Sequence, residues 1–253
     1  MKNKNFTSKE MMVVSASRFL KDDDIVFIGI GLPSLAANLA KRVQAPNISM
    51  IYESGTLDTK PERLPLSIGD DELSKKALAV ISVPEVFNYY LQGGKIEIGF
   101  LGAAQVDKFG NINTTIIGKD YKNPKVRLPG AGGAPEIAAF CKDTLIMLRQ
   151  TKRNFVNKLD FITSVGYADG NNSRDKLNFV SNGPKAIITD LGILEPCKVT
   201  QEFILTHIHE GVSIQEVKDA TGWPLKISEN IITTSSPSLK ELEILRKLEA
   251  TQN

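Results

Sequence analysis

Ile48-Ser49-Met50-Ile51-Tyr52-Glu53-Ser54-Gly55 is the stretch that decides the fold. Its apolar run reads as a short buried strand, and Ser54-Gly55 reads as the turn that ends it. Glu53 then stands at the carboxyl end of a strand, the edge of an open α/β sheet at which ligands bind. The alternative reading is a solvated acid at a strand end, the usual fate of such residues.

Working outward, Thr7-Ser-Lys-Glu10 has the pattern of a capping box, and Met12, Ala16, Phe19 and Leu20 follow at helical spacing, which predicts a helix over residues 8–20. Ile25–Ile28 reads as a strand. Gly29-Ile30-Gly31-Leu32-Pro33-Ser34 is a turn, and Leu35, Leu39 and Val43 give the next helix its inner face. Strand, glycine turn, helix and the Glu53 strand form a βαβ unit, and hence a parallel sheet. The same turn partly matches a dinucleotide-binding fingerprint, but Ser34 occupies the place of its third glycine.

Residues 56–75, with Pro61, Pro65 and Gly69, read as a long irregular excursion of the kind that shapes a site. A short strand up to Val83 and a helix after Pro84, ended by Gly93-Gly94, are expected next. Ile96–Leu101 is a strand, followed by small residues at Gly102-Ala103-Ala104 and then Gln105. Residues 114–117 read as another short strand. Gly130-Ala131-Gly132-Gly133-Ala134 frees the backbone to present N–H groups, with Pro135 set to start a helix, so the run is either an anion or oxyanion site or a plain tight turn. Further strands are expected at 144–148, 186–188 and 203–209. On the last of these His207 and His209 share a face and read as surface residues rather than a metal pair. Arg149, Lys152, Arg153 and Lys158 are a solvated face or a phosphate-attracting one. A helix at 213–221 and a last helix capped by Ser236-Pro237, with Leu239, Leu242, Leu245 and Leu248 docked inward, complete one α/β domain over residues 1–253.

Composition bounds the rest. The chain has 253 residues, 42% of them hydrophobic, and a formal net charge of +2. A full core is available, and no basic block indicates a nucleic-acid partner. Two cysteines without a CxxC pair argue against a disulfide framework or a structural zinc site, and suit a reducing cytoplasm. No signal peptide is read behind Met1–Phe6, and no apolar run reaches the roughly 20 residues a membrane helix needs.

Together these motifs resemble the β, or B, subunit of a family I coenzyme A transferase, in particular the glutaconate branch. The resemblance runs from about Thr7 to Gly222 through Gly29-Ile-Gly31-Leu-Pro33, Tyr52-Glu53-Ser54-Gly55, Gly93-Gly94-Lys95-Ile96, Leu101–Asp107, Gly130–Ala134, His209–Ser213 and Thr221-Gly222. Ser54-Gly55 favours the glutaconate branch, because the 3-oxoacid branch places Asn-Gly after the acid. The resemblance implies an open, mostly parallel sheet with helices on both faces and an α-type partner in an α2β2 or larger assembly. It implies Glu53 as the catalytic nucleophile toward an acyl-CoA, through a mixed anhydride and a glutamyl-CoA thioester. Gly130, Gly132, Gly133 and Ala134 become the oxyanion and acyl-CoA candidates. Gly29, Gly31, Ser54, Gly55, Gly102 and Gln105 become pocket candidates. No cofactor or metal is implied beyond the CoA thioester substrate. Ring-opening CoA-thioester hydrolases share the fold. A dinucleotide-dependent oxidoreductase and a noncatalytic assembly protein are the readings from other classes.

Overall fold

The computed structural model describes residues 5–250. The Met1–Lys4 end, where the reading of the N-terminus falls, and the last three residues lie outside the described residues.

Ten strands form one sheet: β1 (Ile25–Ile28), β2 (Ser49–Tyr52), β3 (Thr56–Leu57), β4 (Ala79–Val80), β5 (Ile98–Leu101), β10 (Asp143–Met147), β11 (Pro184–Ile188), β12 (Gly192–Pro196), β13 (Phe203–Ile208) and β14 (Ile227–Thr233). Two small ladders stand apart from it: β6 (Gln105–Val106) with β7 (Ile112–Asn113), and β8 (Ile116–Ile117) with β9 (Val126–Arg127). The order across the sheet is β14-β13-β12-β11-β10-β5-β1-β2-β3-β4. From β11 to β2 every pairing is parallel, and antiparallel strands flank this centre on both sides. The sheet is therefore mixed but mostly parallel, with the expected βαβ unit at its middle. The chain passes from β1 to β2 on one side and later returns to β5 on the other, so the strand order reverses between β1 and β5.

Alternation along the central strands fills two cores, since successive side chains point to opposite faces. Val26, Ile28, Met50, Tyr52, Ile98, Phe100, Leu145 and Met147 pack beneath the helices Ser8–Ser17, Leu32–Val43 and Leu239–Ala250. Phe27, Ile51, Leu101, Ile146 and Ile187 face the helical segments Val86–Leu91, Ala134–Phe140 and Ile214–Asp219. Gly99 belongs to this second face. A Cβ there would stand 2.6 Å from both Cys141 Sγ and Ile137 Cγ2, so its absence lets the Ala134–Phe140 helix lie close on the sheet.

Several expectations are corrected. The first helix ends at Ser17, although its Thr7–Glu10 capping box is present. The strand leading to Val83 shrinks to Ala79–Val80, and Ser82 caps the helical turn that follows. That turn continues as a π-helix over Val86–Leu91, a period the 3.6-residue pattern cannot anticipate. Residues 114–117 hold only the Ile116–Ile117 strand. The last helix is capped by Ser238, whose Oγ accepts from Glu241 N–H, rather than by Ser236. Strands β12 and β14 were not anticipated; β14 (ISENIIT) is an edge strand whose polar residues hide its period. His209 is 2% exposed, not a surface residue; its ring nitrogens meet Thr234 Oγ1 and Thr189 O.

A polar line, buried from Tyr52 through Ser34 to Asn38 and ending at the more exposed Arg42, anchors the Glu53 strand from behind. Tyr52 OH and Ser34 Oγ are 2.7 Å apart, and Asn38 Nδ2 donates to Ser34 O. Arg42 donates to Asn38 Oδ1 and to Pro61 O in the excursion. The line ties β2, the Leu32–Val43 helix and the irregular segment together. Burial raises the Tyr52 phenol to about 12, partly offset by its hydrogen bond with Ser34.

Because the folded phenol keeps its proton to higher pH than the unfolded one, its contribution is complete below about pH 10 and is lost as pH rises toward about 12. Tyr52→Phe is expected to cost about 1 kcal/mol at neutral pH by leaving Ser34 Oγ only its longer contact with Asn38 Nδ2. It should also make the alkaline loss of stability shallower. Urea unfolding at pH 7.5, 10 and 11 checks both, and an unchanged alkaline slope would refute the assignment.

Candidate active site

Glu53 follows directly on β2, whose last residue, Tyr52, pairs in register with Ile28 of β1. The carboxyl ends of β1, β2 and β5 therefore open on one edge of the sheet, and they deliver Gly29, Glu53 and Gly102 to it. This edge lies beside the strand-order reversal, where the open α/β architecture leaves a crevice.

The decisive contact comes from far along the chain. A Cβ built on Gly133 would lie 3.3 Å from Glu53 Oε1, and one on Gly132 would lie 4.0 Å from it. The glycine run and the strand-end acid, 80 residues apart, thus meet. Gly133 is buried and precedes the Ala134–Phe140 helix, with Pro135 in its first turn as expected. Gly132 has φ +49°, within the left-handed region that favours glycine.

Glu53 itself is half-buried, and among the described residues its carboxylate takes part in no hydrogen bond or ion pair. Its neighbours in sequence differ. Asp58 is paired with Lys41 at 3.0 Å, and Asp70 is held by both terminal nitrogens of Arg63 at 2.8 Å. The Arg63 guanidinium holds the Asp70 carboxyl well below the usual carboxylate range. Acids around the excursion are thus committed to structure, while Glu53 is left with its oxygen against glycine backbone.

The remaining predicted residues divide. Gly55 is a structural requirement: its φ is +103°, and a Cβ would stand 2.0 Å from Ile81 O. Its N–H donates to Tyr52 O and its O accepts from Ile81 N–H, which fixes the turn after Glu53. Ser54 Oγ is buried without a partner among the described residues. Gly29, Gly31 and Gly102 have no atom within 4 Å of a built Cβ, so each faces open space. Gly130 also borders open space, but its N–H donates to Thr114 O, and Ala134 N–H donates to Ala131 O. Those two N–H groups are therefore spent within the chain, and Gly132 and Gly133 are the members of the run beside Glu53. Gln105 is likewise engaged: its Oε1 accepts from Asn113 Nδ2 and Asp160 N–H, and its Nε2 donates to Asp160 Oδ2. These bonds tie β6 to β7 and to Asp160.

Phe87 was missed by sequence reasoning. A Cβ on Gly133 would meet Phe87 Cζ at 2.7 Å and Cε1 at 2.9 Å, so the ring and the Glu53 carboxylate flank the same glycine. No signal in the sequence marks it, because the π-turn sets its direction. Among the described residues no group of three or more His, Cys, Asp and Glu could hold a metal ion, and no helix is long and apolar enough to cross a membrane.

A half-buried, uncommitted carboxylate at a strand end, facing the side-chain-free position of Gly133, is suited to nucleophilic attack on a carbonyl whose oxygen nearby backbone can stabilise. Comparison with known proteins gives that arrangement a family. The family model described as Coenzyme A transferase matches residues 9–220. The B-type chain of the 3-oxoadipate CoA-transferase of Pseudomonas knackmussii is 55% identical over 97% of this chain and 94% of its own length. The B-type chain of the glutaconate CoA-transferase of Acidaminococcus fermentans is 37% identical over 96% of this chain and 92% of its own. The crystal structure of the Acidaminococcus fermentans glutaconate coenzyme A-transferase superposes with a TM-score of 0.89 at 35% identity, covering 96% of this chain and 94% of that one. The chain belongs to the coenzyme A transferase family and is a B-type subunit of such an enzyme.

Proposed function

We propose that Glu53 is the residue through which this coenzyme A transferase carries CoA from an acyl-CoA to a carboxylic acid. The observation that carries the reading is the Glu53 carboxylate, free of structural partners among the described residues and set 3.3 Å from the Cβ position of Gly133. A carboxylate is a weak nucleophile in water and gains from being held, partly desolvated, beside its target.

In this reading a Glu53 carboxylate oxygen attacks the thioester carbonyl, and the tetrahedral adduct collapses with CoA thiolate as leaving group. The product is a mixed anhydride. The thiolate then attacks the glutamyl carbonyl, which forms the enzyme thioester and releases the donor as its carboxylate. An acceptor carboxylate attacks that thioester, thiolate leaves again, and its attack on the acceptor's acyl carbonyl gives the new acyl-CoA and frees Glu53. No net proton or electron is exchanged, and neither a cofactor nor a metal enters the scheme. Each tetrahedral adduct carries charge on oxygen, and backbone N–H groups at Gly132 and Gly133 are this chain's candidates to meet it. One such hydrogen bond is typically worth about 3 kcal/mol of barrier.

The substrates inferred are dicarboxylic acids, since both named relatives carry one in their names: 3-oxoadipate and glutaconate. The partner inferred is an A-type subunit, consistent with those relatives being B-type chains. Leu66, Leu78, Val80, Val83 and Tyr89 are exposed apolar residues within the segment that follows Glu53. Ile81, bonded to Gly55, joins them to the site. Such a face is of the kind obligate partners cover.

Co-expressed with its A-type subunit, the chain is expected to move CoA from 3-oxoadipyl-CoA or glutaconyl-CoA to succinate with ping-pong kinetics, and alone to do so negligibly. Glu53→Ala should abolish turnover without loss of fold. Glu53→Asp, one methylene short, should fall on the order of a hundredfold. Full activity of the assembled Glu53→Ala enzyme would remove Glu53 from the reaction.

Gly133→Val should leave the sheet folded yet slow transfer strongly, because its Cβ lands between Phe87 and Glu53. Wild-type turnover in the folded variant would make the run an ordinary turn.

A further inference from the structure

Phe87 holds an unusual place. It lies in the first turn of the π-helix Val86–Leu91, where Gln92 N–H reaches back five residues to Phe87 O at 2.8 Å. π-Turns inside helices recur at functional sites, and here the extra residue sets the direction in which the ring leaves the backbone. One side of the ring rests on the core. It meets Phe27 of β1 edge to face, with centroids 6.0 Å apart and planes at 70°. Its Cζ tip points at Gly133, whose absent Cβ would be 2.7 Å from it and 3.3 Å from Glu53 Oε1. The ring is only partly buried.

We propose that Phe87 is a positioning residue for the transfer: its ring, fixed on Phe27, sets how closely the Gly133 backbone approaches the Glu53 carboxylate and walls one side of that carboxylate from water. This rests on the reading of Glu53 as the nucleophile. Two physical effects support it. Displacement of Gly133 away from Glu53 would weaken any hydrogen bond its backbone makes to charge developing beside the carboxylate, and misplacement by about 1 Å can cost on the order of a hundredfold in rate. An aromatic edge also carries the positive part of the ring quadrupole, so it borders an anion without repelling it while excluding water. Leucine would keep the apolar wall but not the rigid reach to Gly133; alanine would keep neither.

The test uses the assembled enzyme with its A-type subunit, given 3-oxoadipyl-CoA and no acceptor, and follows the single-turnover release of free 3-oxoadipate. Phe87→Ala is expected to slow that release by about tenfold to a hundredfold. Phe87→Leu, included in case the alanine variant fails to assemble, should slow it less. In steady state both variants should lower kcat while KM for 3-oxoadipyl-CoA stays within about twofold, the split expected when reacting-state geometry rather than binding is lost. Gly133→Ala should cost less in the Phe87→Ala background than in the wild type, because the added methyl group no longer meets the ring. Wild-type release rates in both Phe87 variants would overturn the proposal, as would a change confined to KM or strictly additive costs in the double variant. No release from the wild type with either 3-oxoadipyl-CoA or glutaconyl-CoA, by contrast, would overturn the reading of Glu53 itself, and this proposal with it.

Discussion

The structure depends on a close approach that only a residue without a side chain allows: Gly133 between the Phe87 ring and the Glu53 carboxylate. A methyl group at that point would overlap the ring and crowd the oxygen. The packing around the site serves this contact. The parallel pairing of β1 with β2 brings Glu53 to the carboxyl edge beside Gly29. Gly99 lets the Ala134–Phe140 helix settle on the sheet, which places its leading glycine. Gly55 turns the chain away behind the acid, and the Tyr52–Ser34–Asn38–Arg42 line holds the strand from the opposite face.

At the site the electrostatics reduce to a choice of what not to pair. In the segment after Glu53 the fold commits other acids: Asp58 to Lys41, Asp70 to Arg63, Glu72 to the Glu62 N–H. An acid already engaged in this way has a stabilised anion and is a poor nucleophile. Glu53 instead has no such partner among the described residues and lies beside Gly133, whose missing side chain leaves room for it. The same logic runs through the backbone. Gly130 and Ala134 use their N–H groups to hold the run in shape, against Thr114 O and Ala131 O, and leave Gly132 and Gly133 beside the acid.

Much of this was legible in the sequence where chemistry is local. The apolar run into Glu53, the glycine turn after β1, the Thr7–Glu10 capping box and Pro135 at the start of its helix each carry their signal within a few residues. The family resemblance, built on the order of such pieces, agrees with the sheet and with the comparisons. What was not legible depended on partners far away or on periods that pattern rules do not include. The meeting of Glu53 with Gly133 spans 80 residues, and nothing local distinguishes Gly133 from Gly130. The π-turn that aims Phe87 breaks the helical period. His209 looked like a surface residue because alternation on β13 does not reveal that Thr234 and the Thr189 carbonyl close over it. Gln105, a pocket candidate by resemblance, has its amide engaged by Asn113 and Asp160, partners its local sequence does not reveal.

The most direct measurement is the mass of the Glu53 peptide after the assembled enzyme has met an acyl-CoA in the absence of acceptor. A covalent carrier role predicts a peptide heavier by CoA joined as a thioester with loss of water, returned to its original mass when an acceptor acid is added. An unmodified Glu53 peptide from an enzyme that turns over, or a CoA adduct mapped to an acid elsewhere in either chain of the assembly, would contradict the account.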